Sequence, residues 1–144
     1  MFGPLIASIS AVAISACLLL GPALAGNGKP FGTWSLGNVT VRVADCGGRL
    51  CGTIVSLGKS EKGAGGIQKL DRMNPNPARR NRSLVGMPVL LGMKPSIGGE
   101  WQGIVYNPQD GKTYNSTISV VGDTLTVNGC IGGVLCKSRQ FARK

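Results

Sequence analysis

Four cysteines stand in two close pairs, Cys46 with Cys51 and Cys130 with Cys136, and each pair brackets a glycine-bearing stretch. That pattern points to β-hairpins clipped across their ends. Spacing alone leaves three pairings open, but hairpin geometry favours the two local ones. If Gly48-Arg49 form a two-residue loop with glycine first, as a type II′ turn prefers, then Gly47 faces Leu50 and Cys46 faces Cys51. Such a pair is non-hydrogen-bonded and close enough to bridge. Cys130 and Cys136 flank Gly132-Gly133 with an odd spacing that leaves the turn type open. The rival reading is a four-cysteine zinc site. Structural zinc sites favour two to four residues between ligands and a reducing compartment, so two disulfides and no metal are expected.

The whole chain carries 23 glycines and eight prolines, with alternating Val, Ile and Thr. Those residues favour short strands and tight turns over helices. Asn38 to Ala44 alternates Val39, Val41 and Val43 against Thr40, Arg42 and Ala44, the period of a half-buried strand. Leu50 to Leu57 continues as its hairpin partner, and Leu84 to Met93 reads as a bent strand. Glu100 to Tyr106 and Lys112 to Val121 flank the turn chemistry of Asn107-Pro108-Gln109-Asp110-Gly111. Gly122-Asp123 leads into a strand with Leu125, Val127 and Gly129 on one face, and a last strand runs from Val134 to Phe141. About eight short antiparallel strands result, so the fold is all-β, an up-and-down barrel or a sandwich.

Met1 to Ala25 contains no charged residue, has an apolar stretch from Leu5 to Leu20, and ends in Ala23-Leu24-Ala25, the small-x-small pattern of a signal-peptidase site. It reads as a removed signal peptide, with residues 26–144 as one domain. Ile14-Ser15-Ala16-Cys17 resembles a lipoprotein box, but Leu18-Leu19-Leu20 continues the apolar run where a lipoprotein turns polar. The expected location is therefore periplasmic or secreted, with no membrane span left after signal removal. The whole formal charge of +10 belongs to the exported part. Anionic or amphipathic partners are expected, and nucleic acid is not.

The chain has no histidine, which removes His-dependent nucleophile triads and imidazole metal sites. Ser56-Leu57-Gly58-Lys59 matches a Ser-x-x-Lys pattern without the companion motifs. Gly58-Lys59-Ser60 and Gly111-Lys112-Thr113 lack the leading glycine of a phosphate-binding loop, and read as turns. Of the six carboxylates, most sit at turns, where Asp bonds its own backbone. Asp71 beside Asn74 is the least ordinary, and catalysis by Asp71 or Glu100 is the weakest of the functional readings. No enzyme activity and no cofactor are expected. Residues 58–82 form a long aperiodic segment; Lys59, Lys62, Lys69, Arg72, Arg79, Arg80 and Arg82 oppose only Glu61 and Asp71 there. Long loops of this kind serve binding or stay mobile, and this one would attract anionic surfaces.

Taken in order, Gly32-Thr33-Trp34, Asp45-Cys46, Leu50-Cys51-Gly52, Asp71-Arg72-Met73-Asn74-Pro75, Leu84-Val85-Gly86, Trp101-Gln102-Gly103-Ile104, Asp110-Gly111-Lys112-Thr113-Tyr114 and Gly129-Cys130 resemble the exported bacterial domain of unknown function 2147 family. The resemblance implies a small calycin-type barrel, related in shape to lipocalins and fatty-acid-binding proteins, and a periplasmic ligand-binding role. It also implies barrel closure by a Gly-x-Trp, with Trp34 covered by a cation from the last strand, Arg139 or Arg143. The family's closing Trp-x-Arg is here Phe141-Ala142-Arg143, which keeps an aromatic without its N–H. The leading expectation is a barrel binding a small apolar or amphipathic molecule, lined by Asp71, Asn74, Arg80, Trp101, Tyr106 and Tyr114. The alternative is a filled barrel that docks on anionic lipid or a partner protein through the basic 58–82 loop.

Overall fold

The computed structural model describes residues 28–58 and 69–144. The expected signal peptide, Cys17, and Lys59, Glu61 and Lys62 of the basic segment lie outside those residues. Eight strands follow one another around a closed antiparallel barrel: β1 (Gly32–Leu36), β2 (Val39–Asp45), β3 (Leu50–Leu57), β4 (Pro88–Pro95), β5 (Trp101–Asn107), β6 (Lys112–Val121), β7 (Thr124–Ile131) and β8 (Leu135–Arg143). β8 returns to β1 through Trp34↔Arg143 and Ser35↔Ala142, so no sheet edge is left open. The up-and-down barrel expected from the strand count is the fold.

Odd strands run toward one end, here called the mouth, and even strands return to the other, the floor. The mouth carries the Gly37-Asn38 turn, the long connection from β3 to β4, the 108–111 turn and the 132–134 loop. The floor carries residues 28–31, the Cys46–Arg49 turn, the Ser96–Glu100 segment and Gly122-Asp123.

Trp34, Leu50, Met93 and Ile118 are fully buried and fill the interior toward the floor. Trp34 Nε1 donates to Pro30 O at 2.7 Å. The Arg143 guanidinium lies 4.1 Å from the Trp34 ring centroid. It also donates to Phe31 O at 3.1 Å and Lys29 O at 2.9 Å. One side chain thereby ties the final strand to the segment that crosses the floor. The closing cation is Arg143, while Arg139 lies two inward positions nearer the mouth.

Both local cysteine pairs are bridged, with Cα–Cα separations of 5.9 Å for Cys46–Cys51 and 4.0 Å for Cys130–Cys136. The first turn sits one residue earlier than its sequence suggests. Its central residues are Gly47 and Gly48, with φ of 80° and 77°, and Cys46 N donates to Arg49 O at 2.9 Å. Positive φ at both positions makes a type I′ turn, which glycine pairs favour. Asp45 Oδ1 also accepts from Gly48 N at 2.7 Å, fixing that register. Cys51 consequently faces Ala44, and the disulfide runs diagonally rather than straight across. Cys130 does face Cys136 directly, around a three-residue loop.

A second correction concerns the start of β4. The strand begins at Pro88 rather than Leu84, because Gly86 takes a φ of 89° and Pro88 has no N–H to give to a ladder. Leu84 and Met87 are buried all the same, packed on the core from the connecting segment.

Candidate functional site

Above the filled floor the barrel holds a cavity of about 250 Å³ that extends from Trp34 to the Asn107-Pro108-Gln109 turn at the mouth. Alternation along the strands builds its wall. Val39, Val41, Val105, Val127 and Phe141 present apolar side chains to it, and Leu84 closes over it from the β3–β4 connection. Polar groups gather on one side and near the mouth: Tyr114, Ser116, Gln109, Lys137 and Arg139. The register explains the last two. Lys137 faces Gly129, Arg139 faces Val127 and Phe141 faces Leu125, and directly opposed residues share a sheet face.

Tyr114 donates its hydroxyl to Asp110 Oδ2, whose other oxygen accepts from Lys112 N at 2.9 Å. Burial alone would raise the Asp110 pKa, but the Tyr114 and Lys112 hydrogen bonds and the nearby Lys137 charge outweigh it and hold the carboxyl below its ordinary value. The same hydrogen bond, with burial, raises the Tyr114 hydroxyl.

Asp71 belongs to a second cluster, on the connection between β3 and β4. Its side chain is fully buried and accepts three hydrogen bonds, from Tyr106 Oη at 2.7 Å, Asn74 Nδ2 at 2.8 Å and Arg82 Nε at 3.1 Å. Burial pushes the carboxyl up, yet these three donors and the Arg82 charge together keep it below its usual value. Tyr106, desolvated and facing an anion, is pushed up to about 12. The connection is not aperiodic here: Leu70 bridges Ser83, Asp71 N donates to Arg82 O at 3.0 Å, and Leu84 N to Lys69 O at 3.0 Å. Arg80 Nε donates to Asn74 O at 2.8 Å. Asp71 thus pins a folded-back loop onto β5 through Tyr106.

The structure therefore separates the six lining candidates. Tyr106 and Tyr114 border the cavity. Asp71, Asn74 and Arg80 form the pinning cluster beside Tyr106, and Trp101 stands at the floor, edge-on to Phe31 at 6.2 Å. Asp71 and Glu100 sit on connections at opposite ends of the barrel. Lys137 was not among the sequence candidates. Its parity with Phe141 and Arg143 was the available signal, masked by the expectation that inward positions are apolar.

The closed eight-stranded antiparallel barrel is a lipocalin-like fold. The chain belongs, by a match over residues 32–143, to a family described as an uncharacterized protein conserved in bacteria (DUF2147). Among solved structures it is similar to protein HP1028 from the human pathogen Helicobacter pylori, which is described as belonging to the lipocalin family. That likeness has a TM-score of 0.65 and 24% identity over 81% of this chain and 83% of the other. No curated protein matches the chain. Among the described residues no helix is long and apolar enough to cross a membrane.

Proposed function

We propose that this protein is an exported binder that encloses a small apolar or amphipathic molecule in its barrel. The observation that carries the reading is the cavity of about 250 Å³ with its mainly aliphatic wall. Packed interiors leave few voids larger than a water molecule, so an apolar space of this size in so small a barrel has the character of a binding site. Its volume sits just below the roughly 300–1,000 Å³ of typical ligand pockets, which suits one short chain or a single small ring. Two disulfides fit an oxidising compartment, and the leader-like Met1 to Ala25 fits export.

Native mass spectrometry of protein prepared from periplasm without detergent tests this reading. A reproducible added mass that is lost on denaturation is expected. Bare protein that also fails to bind any of a panel of short-chain amphiphiles would overturn it.

A second reading, docking on an anionic surface by the mouth, draws on the exposed Arg72 and Arg79. These share the mouth with the exposed apolar side chains of Met73, Val134 and Leu135. Its test replaces Arg72, Arg79 and Arg80 together with Ala, leaving Arg82 on Asp71. Loss of binding to vesicles containing anionic lipid supports docking, and unchanged binding refutes it.

A further inference from the structure

We propose that Lys137 and Arg139 form an anion subsite inside the cavity, so that the ligand is a single-chain amphiphile with an anionic head and the head lies against β8. This deepens the enclosure reading above and rests on it. Both side chains line the cavity, and both lie on the inward face of β8 by their register with Gly129 and Val127. Inward positions of a small barrel are ordinarily apolar, since a buried charge without a partner is strongly disfavoured.

Neither cation is neutralised by contact. Among the described residues, the ion pairs join Arg82 to Asp71 and Arg143 to Asp123. Arg139 Nη1 donates only to the neighbouring Ser138 carbonyl, at 3.1 Å. Asp110 is the carboxylate near Lys137; it accepts from Tyr114 Oη and Lys112 N and feels the Lys137 charge, but no ion-pair contact joins the two among the described residues. Lys137 and Arg139 are both exposed, so in the free protein water solvates them. An apolar molecule filling the cavity would strip that water and return nothing. A carboxylate would replace it with charge-assisted hydrogen bonds while its chain meets Val105, Val127 and Phe141. Over the opposing Gly129 lie the side chains of Ser116 and Tyr114, each 3.0 Å from where a Cβ would stand, and Arg143, on the same face, is already committed to Trp34 and the floor carbonyls.

The experiment compares octanoate with 1-octanol, which share a chain and differ in head charge, by titration calorimetry on protein with both disulfides intact. Octanoate is expected to bind about tenfold more tightly or better, the size of one charge-assisted hydrogen bond in a partly wet site. The Lys137→Gln, Arg139→Gln double variant is expected to lose that preference while keeping its affinity for octanol. Equal affinities in the unaltered protein, or a preference that survives the double variant, would overturn the subsite and leave the enclosure reading standing. Binding of neither compound would overturn the subsite, while enclosure is decided by the native mass measurement and the wider panel. Should the double variant fail to fold, the unaltered protein still decides the matter: the preference for octanoate must shrink as salt is raised, and a salt-independent preference refutes the assignment.

Discussion

Replacing Asp71 separates the roles of charge and of hydrogen bonding in holding the β3–β4 connection. Asp71→Ala removes the acceptor shared by Tyr106, Asn74 and Arg82. Tyr106 and Asn74 are both buried, and each donor left unsatisfied costs about 1–3 kcal/mol. The Arg82 side chain is 37% exposed and can rehydrate, so its loss adds little. Relief of the carboxylate's own desolvation offsets part of the damage, leaving a net loss of about 3 kcal/mol. Asp71→Asn behaves differently. Its amide oxygen can accept from Asn74 and Arg82 while its NH₂ donates to a reversed Tyr106 hydroxyl, so only the charge is lost, at about 1 kcal/mol.

The assay is urea unfolding followed by Trp fluorescence, paired with hydrogen exchange at the Leu84 amide, which bonds Lys69 O in the pinned loop. Faster exchange at Leu84 with a smaller change in global unfolding would place the loss in loop release. The sign of the pH effect follows from the same bonds. Asp71 is more acidic folded than unfolded, so its stabilisation is intact above the unfolded value of about 3.9 and is lost as pH falls from there through the folded value. Asp71→Asn should flatten that acid limb. If Asn proves as damaging as Ala, or if Ala costs under about 1 kcal/mol, the reasoning fails.

Three further substitutions test the ends of the barrel. Arg143→Met keeps the stem but removes the contact with the Trp34 ring and the bonds to Phe31 O and Lys29 O; since Asp123 is 87% exposed its ion pair adds little, and a loss of about 2 kcal/mol in urea unfolding is expected. At the mouth, Gly111→Ala demands a φ of 70° from alanine and drives its Cβ into Met73 O. It should cost more than about 2 kcal/mol. Gly122→Ala, with a φ of 56° and open space around it, should cost only about 1 kcal/mol, and equal losses in urea unfolding would show that the Met73 collision is relieved.

What the sequence disclosed follows from how local the governing physics is. β6 alternates strictly and was legible from period alone, because it turns one face to the interior and one to water; β2 does so from Val41 onward, a bulge between Thr40 and Val41 leaving both of those buried. The Cys46–Cys51 turn was displaced by one residue because the Asp45 carboxylate selects between two glycine-bearing registers, and a side-chain bond of that kind is invisible to spacing. Leu84 to Met87 reads as strand by composition. Gly86 and Met87 still bond β3, through Gly86 N to Ile54 O at 2.7 Å and Ile54 N to Met87 O at 3.0 Å, but the positive φ of Gly86 takes the chain out of the regular ladder there. The Asp71 cluster spans 35 residues to reach Tyr106, and no periodicity links positions so far apart. The Trp34 and Arg143 contact was anticipated through a family likeness, since sequence pattern alone does not say which strand closes a barrel.

The inward face of β8 makes the wider point about charged residues in a barrel. Lys137, Arg139, Phe141 and Arg143 occupy successive inward positions from mouth to floor. Two of them are arginines, yet their surroundings assign them different work. Arg143 meets an aromatic ring and two backbone carbonyls within reach of one guanidinium, which consume its donors and fix its position. Arg139 meets a valine across the ladder and one carbonyl of its neighbour, so most of its five N–H donors have no partner among the described residues. Phe141 between them carries no polar atom; an indole there would have offered a donor midway along the cavity wall. With phenylalanine the wall changes from cationic at 137–139 to apolar at 141 in a single step. On the proposed reading, an amphiphile entering along β8 would rest its head at 137–139 near the mouth and point its chain toward Trp34.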